Sequence, residues 1–193
     1  ERIKFQASHP PLAVFYLLNS KEKKMDYLHL TLRIIHIGAG ILWVGGTLMM
    51  TFFVAPAAGA TAESGQRFMK QLMFPLRFGQ KMAAAAGLTL LAGFVLFWLD
   101  SDGFTNAWMS SSAGTGFGIG GGFGLIGFIY GILIGRNTRA LIQLGEQAQG
   151  KPSGEQMAQM QTMRRQLATY SYTASATLIL SVIFMAIARF LVF

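Results

Sequence analysis

His29, Arg33 and His36 stand inside an apolar stretch, residues 28–56, that reads LHLTLRIIHIGAGILWVGGTLMMTFFVAP. An ionisable side chain at the centre of a membrane span costs roughly 2.5–3.5 kcal/mol on insertion scales, so it normally faces protein and often marks function. At about 3.6 residues per turn these three share one helical stripe with Gly40, Trp43, Thr47 and Met50. The opposite face carries Leu, Ile, Val and Phe. Neutral imidazole is a ligand for haem iron and for copper, which makes His36 the first candidate for chemistry. His29 and His36 are seven residues apart and point the same way, so they cannot clamp one haem from opposite sides. No other span contains a histidine. A haem on His36 would be five-coordinate, take a ligand such as Met from another helix, or be shared across an oligomer. Arg33 suits an aspartate or a haem propionate. The plain alternative is that His36 is buried and hydrogen-bonds a neighbouring helix.

The elements that hold this stripe follow from composition. The chain has 193 residues, of which 12% are charged. Soluble domains carry about 25%. Mean hydropathy is +0.44. A span needs roughly 20 apolar residues, and 28–56, 82–99, 114–135 and 169–193 qualify. The expectation is an all-α integral membrane bundle of four transmembrane helices. The absence of cysteine excludes disulfides and thiolate ligands. The formal charge of +8 is read through loop asymmetry rather than as nucleic-acid binding. Arg67, Lys70, Arg77 and Lys81 lie in connection 57–81. Arg136, Arg139, Lys151, Arg164 and Arg165 lie in 136–168. Connection 100–113 has Asp100 and Asp102 and no basic residue. The two basic connections are therefore expected in the cytoplasm, with both termini external. Trp98, Phe104 and Trp108 fit an outer aromatic belt, and Arg189 a snorkelling position.

Residues 1–24 add basic charge on the wrong side for this scheme. Lys-Glu-Lys-Lys before Met25 is what a purine-rich ribosome-binding site reads in frame, so Met25 is an expected start and 1–24 an N-terminal extension foreign to the membrane domain, 25–193. An interfacial helix around Pro10–Leu18 and a cleaved signal are the rival readings. His9 falls in this segment. Further on, Lys-Pro-Ser-Gly at 151–154 marks a turn. A helix opening at Ser153 or Gly154 would complete a cytoplasmic helical hairpin between the third and fourth spans. Met157, Met160 and Met163 are expected to form its packed face.

The third span is rich in glycine. Gly120, Gly124, Gly127 and Gly131 provide small-xxx-small grooves for close helix packing. A flat tetrapyrrole or quinone lying on that face is the functional alternative. Met49, Met50, Met69, Met73 and Met82 offer thioethers suited to Cu(I), and equally serve as ordinary packing. There is no HExxH, P-loop, intramembrane carboxylate pair or Ser/His/Asp set.

In HIGAGILWVGG, Trp43 follows His36 by seven residues and Gly46 follows it by ten. This resembles the first-helix signature of the bacterial membrane superfamily of CopD-type copper-resistance proteins and HemJ-type protoporphyrinogen oxidases. Pro75 in the first connection, Leu90-Leu91-Ala92-Gly93 in the second span and the basic connection before the last helix are similar in order. The resemblance is firm over some thirty residues and loose elsewhere. It implies a four-helix bundle in the inner membrane that binds haem b or copper at His36, with Arg33, Trp43 and His29 beside it. The HemJ-type Lys and second His of the third helix are missing; Tyr130 and Arg136 are what that helix offers. Oxidase activity is therefore not expected. A degenerate relative with an enzymatic role in tetrapyrrole metabolism is a third reading, which the missing Lys and His argue against, and two functions stay ahead of it. One is a haem-binding or copper-binding membrane protein. The other is a cofactor-free accessory subunit of a respiratory or photosynthetic membrane complex. Lipid, other membrane subunits or a homo-oligomer are the expected partners.

Overall fold

Helices in lipid must satisfy every backbone polar group internally, so isolated glycines do not interrupt them. Helix α1 accordingly runs unbroken over Leu12–Met49 through Gly38, Gly40, Gly45 and Gly46. It changes character just before Pro56. Proline has no N–H and its ring crowds the carbonyl four residues back. The backbone widens into a π-helical turn, Met50–Val54, in which the Ala55 N–H donates to the Met50 carbonyl. Helix α2, Ala55–Ala60, then continues with Pro56 in its first turn. The π-turn directs Thr51 inward, where Ser175 Oγ lies 3.1 Å from Thr51 Oγ1.

The computed structural model describes residues 12–147 and 152–191. After α2 come α3 (Ala62–Met73), α4 (Phe78–Asp100), the short α5 (Asn106–Met109), α6 (Ser112–Gln147) and α7 (Gly154–Ile187). Four stretches are long and apolar enough to cross a membrane: Tyr27–Ala60, Phe78–Asp100, Ser112–Gln147 and Gly154–Phe190. No strand occurs among the described residues. The described residues are thus all-helical, with four spans of the multi-pass membrane type. Residues 1–11, with His9, and Lys151 of the expected turn lie outside the described residues. From Leu12 the expected extension is helical and continuous with the first span.

Connection 57–81 is structured. Gly65 meets the Ala58 carbonyl so closely that no side chain fits there, which folds α3 back on α2. Arg77, at φ 51°, turns the chain into α4. At the other end of α4, Asp102, Gly103 and Phe104 all have positive φ. The buried Ser101 secures this turn, its Oγ accepting from the Phe104 N–H at 2.9 Å.

The spans pack as two pairs, α1 with α4 and α6 with α7, each more closely joined internally than to the other. Where α6 meets the 3₁₀ turn Ala188–Phe190 that follows α7, a Cβ on Gly116 would lie 2.7 Å from Ala188 Cα. One on Gly127 would lie 2.7 Å from Leu178 Cδ2, and one on Gly120 or Gly124 would lie 3.3 Å from Met185 or Ser181. Ser181 Oγ donates to the Gly120 carbonyl at 2.7 Å. Gly131 departs from this set. It is exposed, and nothing lies within 4 Å of a Cβ built on it. Near its level the Tyr130 and Tyr170 rings, 5.9 Å apart, bridge the helices instead. The two pairs meet at Trp43, Ala85, Ala86 and Leu178. Phe128 approaches the Trp43 indole edge-on at 6.4 Å. Alanines at 85 and 86 leave the volume the indole takes.

Helices α6 and α7 extend past the apolar core as a hairpin. Asn137 Nδ2 donates to the Met163 carbonyl at 3.2 Å. Met160 and Met163 are half-buried, whereas Met157 is 57% exposed, so only two of the three methionines pack. Ser153 and Gln156 form a reciprocal capping box at the start of α7. Ser153→Ala removes the acceptor for the Gln156 N–H. The expected loss is about 1 kcal/mol of local helix stability, read as faster amide exchange over the first turn of α7. An unchanged exchange rate would show that the cap contributes nothing.

Candidate functional site

His36 sits half-buried on the α1 face that meets α4. Its ring rests against Gly93, where a Cβ would lie 2.7 Å from Cε1 and 2.8 Å from Nδ1. Nδ1 is 2.8 Å from the Thr89 carbonyl oxygen. A carbonyl only accepts, so Nδ1–H donates. In the neutral ring the lone pair is then on Nε2. Fixing the tautomer in this way is what the partner of a ligating histidine normally does. Among the described residues Nε2 has no hydrogen-bond partner. Thr89 is buried, and its own hydroxyl bonds back to the Ala85 carbonyl at 2.8 Å.

The other stripe residues separate in role. His29 Nε2 lies 3.4 Å from Asp100 Oδ1, with the two side chains 25% and 28% exposed. This second histidine also joins α1 to α4. Arg33 is exposed. At 100° per residue it stands about 40° off His29 and about 60° off His36, at the edge of the stripe and outside the α4 contact. Trp43 is 5% exposed and belongs to the apolar core. His36 and His29 therefore meet polar groups of α4, Trp43 packs on Ala85 and Ala86 of the same helix as part of the core, and Arg33 is exposed.

The thioethers are elsewhere. Met82 packs on Gly46, where a Cβ would lie 2.6 Å from its sulfur. Gly46 is ten residues beyond His36, about 15 Å along the helix. Met49 and Met50 are farther still. Ligands of one metal must converge within a few ångströms, so these sulfurs cannot join His36 on a copper ion. Among the described residues no three His, Asp, Glu or Cys side chains cluster as a metal site. The buried glycines of α6 are covered, Gly120, Gly124 and Gly127 by α7, Gly116 by Ala188 and Leu191, and Gly114 by Trp108, which removes them as a seat for a flat ligand. Gly118 and Gly122 face outward instead.

Thr89 and Asp100 were not legible as partners of the histidines. The first acts through its backbone carbonyl, which any residue possesses. Gly93 had a signal, since it ends the Leu90-Leu91-Ala92-Gly93 run. No protein family, curated relative or solved structure matches the chain.

Proposed function

We propose that this chain is a multi-pass inner-membrane protein that binds haem b through His36 Nε2, as a subunit of a larger membrane assembly. The observation that carries this reading is the Nδ1–Thr89 hydrogen bond, which leaves a half-buried Nε2 as the lone-pair donor. The resemblance around His36, Trp43 and Gly46 favours the same residue. Haem is preferred to copper because one oriented imidazole suffices for iron, while the thioethers are too far away to complete a copper site. A bound haem supplies one-electron redox chemistry. The chain's own contribution is to orient the imidazole, make room for it at Gly93 and offer the exposed Arg33 as a counter-charge for a propionate. Oxidase chemistry is not part of the proposal, because the third span lacks the Lys and His of that enzyme type. A Soret band in the purified protein, lost in His36→Ala, is the expected result.

A cofactor-free accessory subunit is the second reading. It is favoured by the His29–Asp100 and His36–Thr89 contacts, both of which serve as polar ties between α1 and α4. Under that reading His36→Ala loosens the pair and changes no spectrum.

We further infer the orientation from charge. Arg67, Lys70, Arg77, Lys81, Arg136, Arg139, Arg164 and Arg165 belong to one end of the bundle, and Asp100 and Asp102 to the other. The basic end is cytoplasmic by the positive-inside rule, so both termini are external. Ala107 and Glu155 are exposed at opposite ends, where a cysteine disturbs no packed core. Ala107→Cys should react with an impermeant maleimide from outside, and Glu155→Cys only after the membrane is opened. The reverse pattern would invert the topology.

A further inference from the structure

At the end of the bundle away from the basic connections, Asp100, Trp108, Ala113, Phe117 and Arg189 line a cavity of about 400 Å³. This lies within the ordinary range of ligand sites, about 300–1,000 Å³. Its walls come from three separate places: the last residue of α4, the α5–α6 corner and the 3₁₀ turn Ala188–Phe190 that ends the chain's last span. Each is fixed. His29 holds one oxygen of Asp100. Trp108 stacks edge-on against Phe97 at 5.1 Å. Gly114 leaves space for Trp108, since a Cβ there would lie 3.0 Å from the indole. Ala188 is fully buried against Gly116, which anchors Arg189. Among the described residues Arg189 forms no ion pair.

We propose that this cavity binds the ammonium–phosphate zwitterion of a phosphatidylethanolamine headgroup. The charge of the walls decides the ligand class. One carboxylate and one guanidinium leave the cavity formally neutral, so a simple anion would gain Arg189 but meet Asp100. A zwitterion satisfies both. The guanidinium takes the phosphate through charge-assisted hydrogen bonds. The second oxygen of Asp100 accepts N–H bonds from a primary ammonium, which a choline headgroup cannot donate. Trp108 and Phe117 present aromatic surface to the same cation. The position is right for a lipid, because the cavity opens where two spans end and one begins. This site is independent of any ligand on His36.

The test is native mass spectrometry of the detergent-purified chain with equal amounts of phosphatidylethanolamine, phosphatidylcholine and phosphatidylglycerol. Retention of phosphatidylethanolamine is expected to exceed that of the other two by about tenfold, the value of one hydrogen bond to a charged group. Arg189→Gln and Asp100→Asn should each abolish the preference. His29→Gln, which keeps the Asp100 carboxylate and offers it an amide donor in place of the imidazole, should retain the preference and so separates ligand binding from the His29 imidazole itself. Soluble glycerophosphoethanolamine should compete only weakly, because it lacks the acyl chains. Retention of phosphatidylcholine or phosphatidylglycerol equal to that of phosphatidylethanolamine by the unaltered chain, or a preference that survives Arg189→Gln, would overturn the proposal. Displacement by an equal concentration of the soluble headgroup would overturn its lipid half.

Discussion

Gly116→Leu is expected to separate α6 from the 3₁₀ turn that ends the last span and so to loosen its pairing with α7, and Gly131→Leu is expected to leave the two helices paired. Both replace glycine by the same residue in the same helix. At Gly116 the first added carbon already falls 2.7 Å from the Ala188 Cα and 2.8 Å from its Cβ. Those atoms belong to backbone and to a side chain with no rotamer to change, so the helices must move apart. Overpacking costs about 1–3 kcal/mol where neighbours can shift and more where they cannot. The displacement also carries away the Ser181–Gly120 hydrogen bond, 2.7 Å in the native pair. Gly127→Leu should be milder, because the obstacle is the Leu178 side chain, which has rotamers to change, rather than backbone. Gly131→Leu meets nothing within 4 Å. Thermal unfolding in mild detergent should rank the variants Gly116, Gly127, Gly131 from least to most stable. A Gly131 variant as damaged as the Gly116 one would show that some further surface packs on α6.

The contrast between these glycines also shows where sequence reasoning reaches its limit. The four spans were legible because length and hydropathy are properties of the chain itself. The start of α7 at Ser153 or Gly154 was legible for the same reason, since Lys-Pro-Ser-Gly acts locally, while the capping box that Gln156 completes was not read. Gly131 has the same spacing as its neighbours, and nothing local says that two tyrosine rings take over at its level. Arg33 falls on the same stripe as His36 at helical spacing, yet a deviation of some tens of degrees puts it outside a contact only one helix wide. The π-turn at Met50–Val54 has a local cause in Pro56, but its consequence, the Thr51–Ser175 contact, depends on a residue far along the chain. The histidine partners were the least legible. Thr89 contributes a carbonyl, and Asp100 stands at a helix end where its carboxylate reads as interfacial charge.

The same geometry sets the expected behaviour of the proposed site. His36→Ala removes the imidazole and should abolish haem binding. The fold should survive, because the core at Trp43, Ala85, Ala86 and Leu178 does not include this ring. Gly93→Ala is the subtler variant. Its methyl would press on Cε1 and Nδ1, push the ring off the Thr89 carbonyl and release Nδ1–H. The ligand remains but its orientation is lost, and changes to such orienting partners typically cost about 10–100-fold in affinity. His29→Ala should matter less, since His29 is engaged with Asp100. Arg33→Leu should weaken haem modestly, through the lost counter-charge for a propionate.

Haem titration of the purified chain, followed by its absorption spectrum, tests the central claim most directly. A Soret band should saturate at one haem per chain, or per oligomer if the site is shared. It should be absent in His36→Ala and require about 10–100-fold more haem in Gly93→Ala. Saturable binding that is identical in the unaltered chain and in His36→Ala would contradict the claim. So would a folded protein that takes up no haem, and His36 would then stand as a tie between α1 and α4.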